Sequence, residues 1–180
     1  MIYVIINNHV ALNAPHPSIY MEWEKQIPFI PEFILFYHSM SVVVVVLFML
    51  PQSRFELHNV IARLLFIYGV SYTIFLLYPL QFGFERPPIE HQPLLLSLFN
   101  LLDGIDLPYN QCPSLHISAF VVYWFALRCY LKNLYLRTVV LVWFLLVGVS
   151  VLFIYQHHFL DIVGGVVVGL VAVWLFKERV

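Results

Sequence analysis

The sequence predicts an all-α fold, a polytopic bundle of transmembrane helices, on three observations. Hydrophobic residues make up 62% of the 180 and charged residues 11%, far from the balance of a water-soluble domain. The apolar residues gather in stretches near the roughly 20 residues that a helix needs to cross a bilayer, with valine runs at Val42 to Val46 and Val166 to Val168. Ionisable residues fall mostly between those stretches, as the cost of placing charge in hydrocarbon demands.

Five stretches read as spanning, about 29–50, 61–82, 114–131, 138–156 and 160–176. Residues 1–28 form an interfacial amino-terminal segment that lies along the membrane surface. Met1 to Ile6 is too short to span, and Tyr20, Trp23 and Phe29 are amphipathic anchors suited to that depth. The first Lys is Lys25, so the basic start of a cleavable signal peptide is missing. Residues 29–180 read as one membrane-embedded domain, since no connection has the length or polarity of a second folded unit. The 83–113 connection carries Pro87, Pro88, Pro93, Pro108 and Pro113 and reads as a structured outer cap, with a short interfacial helix over Leu94 to Leu102.

Positive residues set the orientation, because Lys and Arg near membrane crossings stay on the cytoplasmic side. Arg54 and Arg63 mark the first connection, Arg128, Lys132 and Arg137 the third, and Lys177 with Arg179 the tail. Lys25 and Arg86 are left for the outer side, together with the short turn at 157–159. A net charge of −1 argues against a nucleic-acid surface. Cys112 and Cys129 sit at opposite ends of one expected helix, too far apart to bond, and read as two free thiols.

Three polar clusters fall on the outer side. In Tyr155-Gln156-His157-His158-Phe159-Leu160-Asp161, ionisable residues stand where one apolar stretch ends and the next begins. His157 and Asp161 are four apart and share a helical face, so the carboxylate can hold the imidazole at Nδ1 and leave Nε2 as a nucleophile. An interfacial His beside an acid that favours the helix start fits equally well. In Cys112-Pro113-Ser114-Leu115-His116, a proline turn enters an apolar helix; Ser114 and nearby amides suit an anion, and His116 suits a proton donor. The plainer reading makes Ser114 a helix cap. In Phe84-Glu85-Arg86-Pro87, the Arg fork matches tetrahedral phosphate oxygens, or else anchors the chain at lipid headgroups.

Elsewhere the motifs read as structural. Gly165 and Gly169 are a small-residue face for close helix packing. Asp103 and Asp106 flank Gly104 as turn formers within reach of a polar headgroup. His9, His16, His38, His58 and His91 have no partners at metal-ligand spacing.

Taken together, Arg86-Pro87, Pro113-Ser114-Leu115-His116 and Ser150 through His157 to Asp161 resemble the three signature motifs of the type 2 phosphatidic acid phosphatase superfamily. The likeness covers roughly residues 23–176. The stretch Trp23 to Phe29, with Asn110 to His116, is similar to its bacterial branch bearing leucine in the second motif, a form the inositol phosphorylceramide synthases share. The resemblance implies that His157 attacks phosphorus, Asp161 orients it, His116 protonates the leaving group, and Arg86 with Ser114 holds the phosphate. It implies no metal and no cofactor. Members have six crossings as a rule, so five implies that the usual first helix is missing or replaced. The phosphatase branch carries a Lys and an Arg where this chain has Pro79 and Val151, which leaves Gln156 and His158, with Gln81 or Tyr155, as further phosphate contacts.

The expected function is therefore a lipid phosphate phosphatase acting through a phosphohistidine, on an isoprenyl diphosphate, a phosphatidyl phosphate or lipid A. Its expected place is the bacterial inner membrane, with the site on the periplasmic face. The alternatives are a lipid phosphotransferase that passes phosphate or a phospho-headgroup to an alcohol, and a non-catalytic scaffold or transporter, which would leave His116 and His157 far apart.

Overall fold

The computed structural model describes residues 2–50 and 53–177, and its regular elements are helices. They are α1 (Ile2–Leu12), α2 (Ile34–Met49), α3 (Arg54–Leu77), α4 (Pro93–Asp103), α5 (Leu115–Leu127), α6 (Leu134–Phe153) and α7 (Phe159–Leu175), with single 3-10 turns at Glu22–Gln26 and Pro31–Phe33. Many large apolar side chains point outward from the bundle, among them Val42, Val45, Phe48, Leu65, Leu145 and Trp174. That is the surface a lipid environment calls for.

Among the described residues three helices are long and apolar enough to cross a membrane: Pro31–Met49, Arg54–Leu77 and Leu134–Phe153. The third expected stretch forms a shorter helix, and the fifth forms one of its expected length moved by one residue. At 1.5 Å per residue α5 and α7 reach about 20 and 26 Å, less than the hydrocarbon thickness of about 30 Å. α5 ends early because residues 128–131 leave the helix, and the segments 112–114 and 155–158 ahead of the two helices are not helical.

Capping chemistry moves two boundaries away from the expected ones. Ser53 Oγ accepts the Glu56 N–H at 3.2 Å while Glu56 Oε2 accepts the Ser53 N–H at 2.7 Å, a reciprocal box that starts α3 seven residues early. Asn133 Oδ1 accepts the Leu136 N–H at 3.2 Å and starts α6. Arg63 consequently lies inside α3 rather than in a connection, and its Nη2 donates to the Phe176 carbonyl at 2.9 Å, tying α3 to the end of α7. Arg179 lies outside the described residues.

The amino-terminal segment is fastened to the bundle. α1 packs on α3, and Asn7, 1% exposed, makes a two-way amide clamp with Leu107, donating to its carbonyl and accepting its N–H at 2.9 Å each. The cap helix forms as expected, with Pro93 at its start.

At the centre α5 touches α2, α3, α6 and α7. Its approach to α7 is close because glycine faces it: a Cβ at Gly165 would stand 2.6 Å from the Ser114 carbonyl, and one at Gly169 2.9 Å from that of Ser118. The small-residue face is a packing device, as its spacing predicts.

Candidate active site

The helix starts of α5 and α7 are fastened to each other. The Ser114 N–H donates to the Asp161 carbonyl at 2.9 Å. Ser114 Oγ takes the Ile117 N–H at 3.5 Å and so caps α5, the plainer of its two expected roles. Across from it, Asp161 Oδ2 takes the His158 N–H at 2.8 Å in the first turn of α7. Two helix amino termini, each with a partial positive charge, thus meet in one place.

That fastening brings the two motif histidines together, with ring centroids 6.4 Å apart. Their convergence removes the geometric support for a non-catalytic scaffold. His157 is 3% exposed, and neither ring nitrogen has a hydrogen-bond partner. Buried polar atoms are almost always paired, and this imidazole departs from that rule at both nitrogens. Its Nδ1 lies 3.6 Å from Asp161 Oδ2. This is ion-pair range and longer than the hydrogen bond expected from the spacing, because the carboxylate is turned to the His158 amide.

Arg86 reaches the site through the neighbour of His157. Its Nη2 donates to Gln156 Oε1 at 3.2 Å, its Nη1 donates to both carboxylate oxygens of Asp103 at 2.9 and 3.0 Å, and its guanidinium lies 4.8 Å from the Phe99 ring centre. Nε is buried without a partner. Gln156 Nε2 donates in turn to the Asp106 carbonyl at 3.2 Å. Gln156 therefore aims the arginine, with both ends of its amide in use.

The ring of His158 is engaged outside this group. Its Nδ1 is 2.9 Å from Glu24 Oε2, and its Nε2 accepts the Gly83 N–H at 3.0 Å. Phe82 stacks on the ring at 4.1 Å, with Phe84 and Tyr20 around it. An acceptor Nε2 requires the proton on Nδ1, so the ring is neutral, and burial agrees by holding its pKa below the usual value against the pull of Glu24. Glu24, 2% exposed, also accepts the Phe159 N–H at 3.1 Å. His158 is thus a fastening between the amino-terminal segment and α7.

Three residues of the site are not evident from the motifs. Glu24 lies in the Trp23 to Phe29 stretch, where only the resemblance points to it. Tyr37, inside an unbroken apolar run, has its hydroxyl 2.8 Å from His116 Nε2 and 3.3 Å from Nδ1. Asp106 reads as a turn former, yet its Oδ2 accepts the Tyr37 hydroxyl at 3.0 Å and its Oδ1 accepts that of Tyr3. At the two departures from the expected pattern the residues present are uncharged: Val151, 1% exposed, packs in an apolar cluster with Ile117 and Ile154, and Pro79 follows α3. Among the described residues no group of His, Cys, Asp and Glu is placed to hold a metal ion.

His116 opens on a cavity of about 890 Å³ between α1, α2, α3 and α5. Met40, Val44, Leu115, Tyr68 and Tyr72 line it, and Asp106 stands beside the histidine.

An apolar helical bundle with ionisable side chains gathered at its helix ends defines an integral membrane protein. The chain matches the family model of the PAP2 superfamily over residues 62–179, more than half its length, and belongs to that superfamily. Membership makes it a phosphatase or phosphotransferase acting on phosphate esters. The matched region begins inside α3 and leaves out Glu24 and Tyr37. Comparison with curated proteins and with solved structures gave no match.

Proposed function

We propose that the chain is a lipid phosphate phosphatase acting through a phosphohistidine. The observation that carries this reading is His157, buried with both nitrogens unbonded and facing His116 at 6.4 Å. In the first step a His157 nitrogen attacks phosphorus, with Asp161 at 3.6 Å offsetting the positive charge that develops on the ring. Arg86, the helix amino termini and the Ser114 hydroxyl offset charge on the phosphoryl oxygens. His116 gives its proton to the departing alkoxide. Water then attacks the phosphohistidine and returns a proton to His116, so phosphate leaves and both imidazoles are restored. The cavity beside His116 suits an apolar leaving group, which favours a phosphatidyl phosphate, an isoprenyl diphosphate or lipid A. The cation distribution favours a site on the outer face, that is, the periplasmic face of a bacterial inner membrane.

One observation favours a second reading, transfer to an alcohol instead of water. Arg86 is already shared with Asp103, and positions 79 and 151 supply no cation. A singly charged phosphodiester asks less of such a site than a doubly charged monoester. Purified protein offered a panel of lipid phosphates, with and without an alcohol acceptor, separates the readings. Phosphate release at full rate without acceptor supports the phosphatase. Turnover that waits for the acceptor and yields a new phospholipid supports the transferase, and no turnover of any ester under either condition refutes both.

A further inference from the structure

Resting on the reading of His116 as the proton donor, we propose that Tyr37 and Asp106 are its positioning residues, a carboxylate and a phenol acting on the imidazole in series. The chain of contacts is continuous. Asp106 Oδ2 accepts the Tyr37 O–H at 3.0 Å, which leaves the phenol oxygen to accept from a ring nitrogen of His116. That oxygen lies against the ring edge, 2.8 Å from one nitrogen and 3.3 Å from the other. Whichever nitrogen gives up its proton, the other stays within reach of the phenol. Tyr37 and Asp106 are 6% and 4% exposed, so water competes little for these bonds.

Asp106 also stands 4.0 Å from His116 Nδ1, close enough for its charge to stabilise a protonated ring. The other titratable groups facing His116 are His157 and His38. The same residue meets the phosphate side of the site, since its carbonyl accepts Gln156, which aims Arg86. One turn of chain after α4 thus sets both the proton donor and the arginine. Neither positioning residue supplies the proton: His116 loses it to the alkoxide and regains it from the attacking water.

A general acid matters in proportion to how poor the leaving group is, and this gives the test. Wild type, Tyr37→Phe, Asp106→Asn, Tyr3→Phe and His116→Ala are compared on a long-chain alkyl phosphate and on p-nitrophenyl phosphate. Tyr3→Phe removes a hydrogen bond to the same carboxylate without touching His116, so it reports a merely structural loss. Tyr37→Phe and Asp106→Asn are expected to slow the alkyl ester by about tenfold or more, approaching His116→Ala, and the aryl ester by less than about twofold. Tyr3→Phe is expected to leave the ratio of the two rates as in wild type. If Tyr37→Phe and Asp106→Asn slow both esters equally, or neither, the inference is overturned while the phosphatase reading stands. If wild type cleaves neither ester, the phosphatase reading and this inference fall together.

Discussion

Substituting the glycines of α7 with alanine turns the contact between α5 and α7 into a graded measurement. A Cβ on Gly165 would stand 2.6 Å from the Ser114 carbonyl oxygen and 2.8 Å from Ile117 Cβ, where ordinary contact begins near 3.4 Å. The oxygen belongs to the backbone and cannot turn aside, so the helices must part by about 0.8 Å, a misfit of the kind that costs about 1–3 kcal/mol. For a chain of this size that lowers the melting temperature by about 2–12 °C. The same displacement separates Asp161 from Ser114 and His157 from His116. A misplacement near 1 Å is worth on the order of a hundredfold in rate. Gly169→Ala meets Val121 Cβ at 2.7 Å and should cost similar stability, but lies two turns below Asp161 and should spare more activity. Gly148→Ala, whose nearest new neighbour is at 3.9 Å, and Gly69→Ala, with none within 4 Å, are the controls. Thermal unfolding in detergent and phosphate release, measured on the same preparations, test the series. Gly165→Ala melting and turning over like Gly148→Ala would refute the close contact and the geometry built on it.

Adjacent histidines should fail in different ways. His157→Ala should abolish turnover with little change in melting, whereas His158→Ala should lower the melting temperature sharply, because it removes the buried hydrogen bonds to Glu24 and Gly83 and the stack on Phe82; equal melting of the two would contradict the assignment. Burial first, and the charge of Asp161 second, push the Cys112 thiol up to about 11. Below that value its thiolate grows about tenfold per pH unit, so maleimide labelling should be slow at pH 7 and about a hundredfold faster at pH 9. On intact cells an impermeant maleimide should then label Cys112 and spare Cys129, and the reverse would invert the topology. Asp103→Asn frees Arg86 from its carboxylate and should lower KM for a monoester dianion more than for a diester; equal KM changes would show that the pair does not tune binding.

Legibility in the sequence followed the range of the interactions. The apolar stretches and the outer cap were readable because hydrophobicity is local. The seven-residue error at α3 was avoidable, since Ser53 and Glu56 stand at capping-box spacing. The early end of α5 was not, because apolar residues such as Tyr130 and Leu131 follow the point where the backbone leaves the helix. In the site, the signature residues announce themselves by being polar at the edges of apolar runs. Tyr37 does not, since an aromatic in an apolar helix is ordinarily core, and only the fold brings it to His116 across 79 residues. The surroundings of His158 are hidden for the opposite reason. It shares the signature of His157, but the chain turns at Tyr155, which has a positive φ of 56°, and the two neighbouring rings part into different surroundings.

Charge is what the site lacks, and this bears on how the reaction ends. The contacts bring one guanidinium to His157's neighbour, while Asp103, Asp106 and Asp161 bring three carboxylates. Lys25, the other basic residue expected outside, is held by Glu22 at 2.8 Å. A phosphate dianion entering this place must draw Arg86 away from Asp103, which its exposure permits, since a carboxylate 45% open to solvent can be rehydrated as it lets go. It must also find a protonated His116, with Asp106 4.0 Å from its Nδ1. Each requirement weakens binding of highly charged esters and leaves singly charged ones less affected. In the proposed second step, water attacking phosphorus must give up a proton as the P–O bond forms and the P–N bond to His157 breaks, and His116 is the base proposed to take it. Water and an alcohol acceptor alike must therefore reach phosphorus on the side of His116. That is the side where the apolar cavity opens, so a lipid alcohol held there would exclude water from the route that His116 serves.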